Sequence, residues 1–279
     1  MAKIIEKRSL TPVTRLFRVQ APLIAAAAQP GQFVIVRVRE GGERIPLTIA
    51  DFDRETGLVT IVVQEVGTTT RLLGALEEGD DLLDIVGPLG ESPEIPVHGH
   101  IVGVAGGFGA AALLSIMRDL KAKGEKTTII LGAREKDLLI LTKELEETCD
   151  VLELCTDDGS AGFKGFVTGR IEQLMNGEGP GRPDCVVAIG PMPMMRAVAE
   201  TTREAGIPTL VSLDPLMIDG TGMCGGCRVT VGGEVKFACV DGPIFDAHQV
   251  DFNEAVLRSK MYVKEEKLSA CREEQIGAS

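Results

Sequence analysis

Three cysteines and one aspartate in the last third of the sequence have the spacing of ligands for a two-iron cluster. Cys224 and Cys227 form a C-x2-C pair among glycines, and Cys239 follows after a short apolar segment. Plant-type two-iron sites use C-x4-C-x2-C followed by a distant cysteine. Asp219 occupies the place of the first cysteine. Since neighbouring glycines let backbone N–H groups approach the sulfur atoms, these four residues predict a [2Fe-2S] site.

Two other uses of this segment remain open. A structural zinc site with an aspartate ligand would need the same donor types. Asp219 could also only cap a glycine-rich turn, which is a common role of aspartate. The remaining cysteines are scattered, and we interpret them as buried apolar side chains or free thiols; they are Cys149, Cys155, Cys185 and Cys271.

A second group of residues lies in the first hundred positions. Arg44-Ile-Pro-Leu-Thr48 resembles the strand of ferredoxin-reductase-type barrels in which an arginine binds the FAD pyrophosphate and a hydroxyl lies near the ring. Those barrels usually have Arg-x-Tyr-Ser or Arg-x-Tyr-Thr, whereas here Arg44 lies four residues before Thr48 and Leu47 replaces the tyrosine. The segment from Gly67 opens an amphipathic stretch with free N–H groups, which suits a phosphate. The expected FAD-binding residues are Arg44, Pro46, Leu47, Thr48, Val63, Gly67, Thr69 and Thr70.

A third group of residues follows predicted strands. Gly106-Gly-Phe-Gly109 comes after a strand and opens a helix, where glycines let a dinucleotide pyrophosphate approach the helix N-terminus. Three further loops follow later strands and lie at the same edge of the predicted sheet, where ligands of parallel sheets bind. Turns and caps explain each glycine singly, but four loops at one edge predict a nicotinamide nucleotide site. Its expected residues are Gly106, Gly107, Phe108, Gly109, Arg134 (at the adenosine ribose), Asp157, Gly190 and Met194.

The elements that position these residues change near position 100. Before it, short β-branched runs such as 33–39 and 58–64, separated by turns, predict an antiparallel Greek-key barrel. After it, strands alternate with amphipathic helices, which predicts a parallel, doubly wound sheet. The predicted strands are 101–105, 127–131, 150–154, 185–189 and 209–213, and the predicted helices are 110–123, 138–147, 166–175 and 194–205.

The fold class is therefore a β barrel followed by an α/β domain and a small iron–sulfur segment. We place the FAD-binding barrel at 1–98, the NAD(P)-binding domain at 99–213 and the [2Fe-2S] segment at 214–250. Residues 251–279 form a charged tail, part of it helical.

Bulk composition excludes several classes of function. A net charge of −12 over 279 residues disfavours nucleic acid and anionic membranes, since both need a basic surface. The sequence has no signal-like start and no apolar run long enough for a bilayer, so we expect a cytoplasmic protein. The histidines, His98, His100 and His248, show no triad spacing. We expect no catalytic side chain, because hydride transfer to a flavin needs no protein nucleophile.

Over nearly its whole length the sequence resembles one family. This family contains the electron-transfer subunit of dihydroorotate dehydrogenase and the small subunit of NADH-dependent ferredoxin:NADP oxidoreductase. The Arg44–Thr48 strand, the Gly106–Gly109 loop, the segment 156–159 and the cysteine cluster carry the resemblance. The dihydroorotate branch has four cysteines, whereas an aspartate at position 219 is the pattern of the ferredoxin:NADP branch.

The resemblance implies FAD, a [2Fe-2S] cluster and NAD(H). NADP(H) is left open, because Arg134 could bind a 2′-phosphate whereas Glu135 beside it would oppose one. It also implies a heterodimer with a larger flavin- and [4Fe-4S]-containing subunit, an indirect role for ferredoxin, and electron bifurcation by the assembled complex. The alternatives are the electron-transfer subunit of an NAD-dependent dihydroorotate dehydrogenase and, in another class, a metal-stabilised binding module without flavin.

Overall fold

A computed structural model describes residues 2–262 and residue 265. The first of its two large sheets is antiparallel, with the strand order β6-β1-β2-β5-β4-β3-β7. Its strands are β1 (Ala2–Thr11), β2 (Thr14–Gln20), β3 (Phe33–Arg37), β4 (Ile45–Asp53), β5 (Leu58–Gln64), β6 (Asp81–Leu82) and β7 (Asp84–Leu89). The edge strands β6 and β7 are separated by one residue of chain, so the sheet closes almost completely into the predicted barrel.

The barrel interior is built by alternation along the strands. Val34 and Val36 of β3, Leu47 and Ile49 of β4, and Ile61 of β5 pack in one buried core. β-branched side chains favour such half-buried pleated surfaces. Two short helices, α1 (Pro22–Ala27) and α2 (Thr68–Gly74), connect strands of this barrel.

The second sheet has the order β11-β10-β9-β8-β12-β13-β16 and is parallel except for β16. Its strands are β8 (His100–Gly106), β9 (Lys126–Ala133), β10 (Val151–Thr156), β11 (Phe163–Lys164), β12 (Cys185–Ile189), β13 (Thr209–Ser212) and β16 (Ile244–Asp246). The helices are α3 (Gly109–Ala122), α4 (Thr142–Thr148), α5 (Val167–Met175) and α6 (Met192–Arg203). The predicted doubly wound α/β domain is confirmed.

The structure departs from the expected elements in two places. The helix expected over 138–147 is a 3₁₀ turn, Lys136–Leu138, followed by α4, because Leu141 between them adopts φ 56°. The strands β11 and β16 were not predicted. β16 pairs with β13, so part of the expected iron–sulfur segment completes the nucleotide-domain sheet.

The C-terminal segment adds a hairpin, β14 (Arg228–Val231) and β15 (Glu234–Phe237), and the helix α7 (Phe252–Arg258). Of the expected charged tail, residues 263–264 and 266–279, including Cys271, lie outside the described part of the chain. The other three scattered cysteines are buried free thiols, as expected. Burial raises the pKa of Cys149 to about 11 and that of Cys155 and Cys185 to about 12.

Helix α3 joins the two large sheets. Ser115 donates a hydrogen bond to the carbonyl of Ile49 at 3.3 Å, and Arg118 pairs with Asp51. Ala50 of β4 is fully buried in the same apolar cluster as α3. Within the described residues, no helix combines the length and apolar character needed to cross a bilayer.

A buried histidine makes the stability of this fold depend on pH. The His100 ring is buried, its Nε2 lies 2.8 Å from the Thr128 hydroxyl and its Nδ1 lies 3.1 Å from the Arg182 carbonyl. Burial lowers the pKa of His100. The folded state then prefers the neutral ring, so its contribution is complete above the unfolded pKa near 6.5 and is lost as pH falls below it.

We therefore expect the free energy of unfolding to fall between pH 7.5 and 5.5, by at most about 1.4 kcal/mol per pH unit for this one group. Urea titrations at both values should show a smaller loss in His100→Gln. His98→Gln is the matched control, because the His98 ring is exposed. An equal acid loss in wild type and His100→Gln would contradict the assignment.

Candidate functional site

The four predicted metal ligands form two close pairs. The Asp219 Oδ1 atom lies 3.1 Å from Cys224 Sγ, and Cys227 Sγ lies 3.1 Å from Cys239 Sγ. Cys227 and Cys239 are buried, whereas Cys224 is exposed. The two pairs therefore span a site that runs from the interior of the segment to its surface.

The hairpin explains how ligands far apart in sequence meet. Cys227 immediately precedes β14 and Cys239 follows β15 by two residues, while the register pairs Arg228 with Phe237. The Ala238 N–H donates to the Cys227 carbonyl at 3.1 Å, which extends this pairing to the cysteines. The Gly226 N–H points at Cys224 Sγ at 3.5 Å. Backbone donors thus approach sulfur, as the glycine-rich sequence predicts.

The Asp219 carboxylate uses its two oxygens differently. Oδ2 accepts hydrogen bonds from the Thr221 hydroxyl at 2.7 Å and the Met223 N–H at 3.0 Å. Oδ1 faces Cys224. The bonds from Thr221 and Cys224 hold the pKa of Asp219 well below its usual range, so the group is anionic at neutral pH. Turn capping and metal binding are therefore compatible roles for one side chain.

The four predicted donors lie as two pairs rather than as one group. In the part of the chain that the structure describes, no three His, Cys, Asp or Glu side chains gather as ligands of one metal ion. Burial raises the pKa of the Cys239 thiol to about 12, and coordination to a metal is the kind of change that deprotonates such a thiol.

The predicted flavin strand divides between the two faces of β4. Pro46 and Thr48 are half-buried on the outer face, directly opposite Ile35 and Phe33 of β3. Leu47 alternates to the inner face and packs in the barrel core. Like Leu47, the expected contact residue Val63 packs in that core and is fully buried. The side chains of Leu47 and Val63 therefore serve the barrel core rather than a ligand.

Arg44 immediately precedes β4 and has an unsatisfied donor. Its Nε atom is buried and has no hydrogen-bond partner among the described residues. Burying such a group unpaired is costly, which favours a missing anionic partner. A cavity of about 200 Å³ lies between α2 and the β3–β4 connection, the loop that leads to Arg44. It is lined by Val38, Arg39, Gly41, Gly42, Glu43, Thr68, Thr69 and Leu72.

The expected phosphate cradle at the start of α2 is partly occupied by the protein itself. The Thr70 hydroxyl accepts from the N–H groups of Val66 at 3.1 Å and Gly67 at 2.9 Å. The Thr69 hydroxyl donates to Glu43 at 2.7 Å. The Gly67 N–H and the two hydroxyls thus already have partners, because the short helix caps its own first turn.

The predicted nucleotide loops all lie at one edge of the parallel sheet. The register aligns Gly106 with Gly132, Ala133 with Thr156, and Ala105 with Ile189. Loops carrying the other predicted residues follow directly; these include the exposed Arg134 and Asp157, and Gly190. Since β8 lies between β9 and β12, the strand order reverses here, and ligands bind at such a reversal.

Two positions of the first loop are occupied by glycine for different physical reasons. A Cβ at Gly109 would lie 2.0 Å from the Ile189 carbonyl oxygen, so this glycine permits α3 to pack against β12. Gly107 has φ +50°, and a Cβ there would meet no atom within 4 Å. Gly107 therefore borders open space at the loop. Met194 covers Gly106 and Gly190, since an added Cβ at either would lie within 3 Å of its side chain.

Sequence reasoning missed one residue beside the cluster loop. Arg258 of α7 donates from Nη2 to the Gly226 carbonyl at 2.9 Å. A lone arginine in a charged tail carries no local signal of this contact, which depends on how α7 packs.

Comparison with known proteins agrees with these features. Residues 214–251 match the family model described as the iron-sulfur cluster binding domain of dihydroorotate dehydrogenase B. The homologue of the dihydroorotate dehydrogenase B (NAD(+)) electron transfer subunit from Thermotoga maritima is 47% identical over 96% of this chain and 93% of its own. The subunit from Desulforamulus reducens is 34% identical over 89% and 97%. The chain belongs to this family of electron-transfer subunits.

A solved structure extends the family to a second enzyme. A chain of the NADH-dependent reduced ferredoxin-NADP oxidoreductase, an enzyme studied for flavin-based electron bifurcation, superposes with a TM-score of 0.91. It is 46% identical and covers 98% of this chain and 97% of that one. The family assignment and the iron–sulfur character of the C-terminal segment, both predicted from sequence, are confirmed.

We expect opposite effects from substitutions at Gly109 and Gly107. Gly109→Ala should lower the free energy of unfolding by about 1–3 kcal/mol, because its Cβ overlaps the Ile189 carbonyl. Gly107→Asn should cost less than about 1 kcal/mol, since asparagine tolerates a positive φ, but it should weaken nicotinamide nucleotide binding. Urea unfolding and calorimetric titration with NAD(H) measure the two effects. Unchanged nucleotide affinity in Gly107→Asn would remove this loop from the binding site.

Proposed function

We propose that the chain transfers electrons between a nicotinamide nucleotide and a larger partner subunit. FAD would bind on the outer face of the barrel, NAD(H) at the carboxyl edge of the parallel sheet, and a [2Fe-2S] cluster in the C-terminal segment. The flavin accepts two electrons as hydride and releases them singly, which links the nucleotide to a one-electron cluster.

The observation that carries the proposal is the convergence of the three sites. Ser115 contacts Ile49 and Arg118 contacts Asp51, so α3 and β4 run in the same sense. Starting from the contact of Ser115 with Ile49, Gly109 lies about 9 Å back along α3 at a rise of about 1.5 Å per residue. The same length of β4, at about 3.3 Å per residue, leads from Ile49 back to Pro46, so Gly109 and Pro46 lie at the same level. The nucleotide loop and the half-buried outer face of the flavin strand are therefore neighbours.

The cluster segment also reaches this face of the barrel, through a contact with β3. A Cβ at Gly220 would lie 2.6 Å from Ile35 Cδ1, so the backbone beside Asp219 lies against β3. Ile35 pairs with Pro46 across β3 and β4. The proposed flavin face is thus bordered by the nucleotide loop and by the cluster loop.

The chain's own residues have distinct tasks in this scheme. Arg44 would neutralise the FAD pyrophosphate with its unsatisfied guanidinium, and Thr48 would orient the ring with its hydroxyl. Gly107 would admit the nucleotide pyrophosphate, while Met194 would close the crevice floor to water. No side chain need act as an acid, base or nucleophile.

For the cluster, the close pairs suggest the distribution of ligands. Asp219 and Cys224 would bind one iron, and Cys227 and Cys239 the other. The iron next to Cys224 would then be the more exposed one and the natural exit for electrons.

Exposed apolar side chains around the cluster support a partner at this surface. Large exposed side chains of this kind mark interaction sites when they lie together. Around the cluster segment they are Leu216, Ile218, Met223, Val235 and Val240. We propose that a larger flavin- and [4Fe-4S]-containing subunit docks here in the cytoplasm, with ferredoxin acting through that subunit.

Two assembled activities are compatible with the family. Asp219, in the place of the first cysteine, favours the bifurcating enzyme, whose solved chain is 46% identical. The alternative is a dihydroorotate dehydrogenase electron-transfer subunit, by which the 34% identical relative and the 47% identical homologue are described. A binding module without flavin fits neither the unsatisfied Arg44 nor the family.

The experiment that tests the proposed function is quantification of FAD, iron and labile sulfide in the purified chain. We expect one flavin, two irons and two sulfides per chain, as FAD and a [2Fe-2S] cluster require. Arg44→Gln should lower FAD retention after gel filtration, because the anion loses its buried cation. Arg54→Gln is the matched control, since Arg54 lies just beyond the other end of β4 over Phe52. Full FAD occupancy in Arg44→Gln would contradict the assignment of this strand.

Substitutions at Asp219 separate metal binding from turn capping. Asp219→Asn keeps an acceptor for the Met223 N–H but loses the anionic ligand, so cluster content should fall or its EPR spectrum change. Asp219→Cys should retain the cluster at a more negative potential, because sulfur binds iron more covalently than oxygen does. Asp219→Ala should make the cluster labile.

Thr221→Val is the control for this series, since it removes one hydrogen bond to the carboxylate and no ligand. EPR spectra and redox titrations provide the measurement. A wild-type spectrum and potential in Asp219→Asn would leave only the capping role.

A further inference from the structure

Arg258 connects the C-terminal helix to the loop between two proposed cluster ligands. Its Nη2 atom donates to the Gly226 carbonyl at 2.9 Å. The N–H of the same glycine points at Cys224 Sγ at 3.5 Å. Gly226 directly precedes Cys227, so the guanidinium binds the backbone that links the ligands of the two proposed iron positions.

The helix that carries Arg258 is anchored at its other end. The Asp251 carboxylate caps α7 by accepting from the N–H groups of Asn253 and Glu254, both at 3.0 Å. Phe252 and Ala255 are buried, and Phe252 packs in the apolar core that the segment shares with the parallel sheet. Arg258 is therefore positioned by a packed and capped helix.

The guanidinium also has an unused donor. Arg258 Nε is buried and has no hydrogen-bond partner among the described residues. A cation whose buried N–H is unpaired is stabilised by negative charge nearby. Three thiolates, one carboxylate and two sulfides around two irons carry a net negative charge, and this charge increases on reduction.

We propose that Arg258 is a positioning residue that holds the cluster loop and places a positive charge beside the cluster, raising its reduction potential. This inference rests on the proposed function, because it requires the cluster. A nearby cation stabilises the more anionic reduced state more strongly than the oxidised state, and net charge is one determinant of cluster potential. The consequence is that α7 biases electron flow from the flavin toward the cluster.

Two substitutions separate the charge of Arg258 from its hydrogen bond. Arg258→Gln keeps a donor for the Gly226 carbonyl and removes the charge, whereas Arg258→Lys keeps the charge and loses the planar fork. Lys260→Gln, two residues further along the chain and exposed, is the control for loss of a charge at the same end. The cluster potential is measured in the full chain by redox titration monitored by EPR.

We expect a more negative cluster potential in Arg258→Gln, a smaller shift in Arg258→Lys and none in Lys260→Gln. Loss of iron and sulfide from Arg258→Gln alone, with FAD retained, would equally support a charge that stabilises the anionic cluster. A wild-type potential in Arg258→Gln would overturn the inference. Equal shifts, or equal loss of cluster, in the Gln and Lys variants would overturn it too, because charge would then not be the cause.

The inference and the proposed function fail in different ways. A wild-type chain that contains neither iron nor labile sulfide would refute the proposed function. A loaded wild-type chain with unshifted Arg258 variants would refute only the role of Arg258.

Discussion

The packing of α3 against β4 is the contact on which the functional geometry depends. One end of this helix begins at the nucleotide loop, and its middle lies on the strand that carries Thr48. Ala50 is fully buried against it, so sliding one sheet over the other would expose apolar surface and open a close-packed interface. The distance between the proposed nucleotide and flavin sites is thus set by the packing of α3 on β4.

The iron–sulfur segment is held to the same framework at several points. β16 pairs with β13 in the nucleotide-domain sheet, and Gly220 lies against Ile35 of the barrel. The segment also shares an apolar core with both domains, since Phe33 and Val104 lie in one cluster with Cys227. Electron transfer between the proposed redox groups requires constant separations, and a segment tied to both neighbours provides them.

Local patterns in the sequence were sufficient for the fold class and for placing four loops at one edge of the parallel sheet. Alternation identified the barrel, and the cysteine spacing identified the cluster segment. Features that depend on contacts between distant segments could not be predicted from local patterns. The face of β4 to which Leu47 belongs depends on strand register, and a one-residue change moves a side chain to the other face. The strand β16 depends on a partner in another segment. Arg258 depends on the docking of α7, which no local motif encodes.

Gly107 and Gly109 illustrate the same limit at atomic scale. Both fit a glycine-rich nucleotide loop, yet one adopts a positive φ beside open space and the other admits a carbonyl oxygen at 2.0 Å from its missing Cβ. Asp219 combines two such constraints in one side chain. Thr221 and Met223 hold one oxygen and leave the other toward Cys224. A thiolate of cysteine has a single sulfur and cannot divide its roles in this way. A carboxylate therefore organises the turn with one oxygen and directs the other toward Cys224, as the proposed ligand role requires.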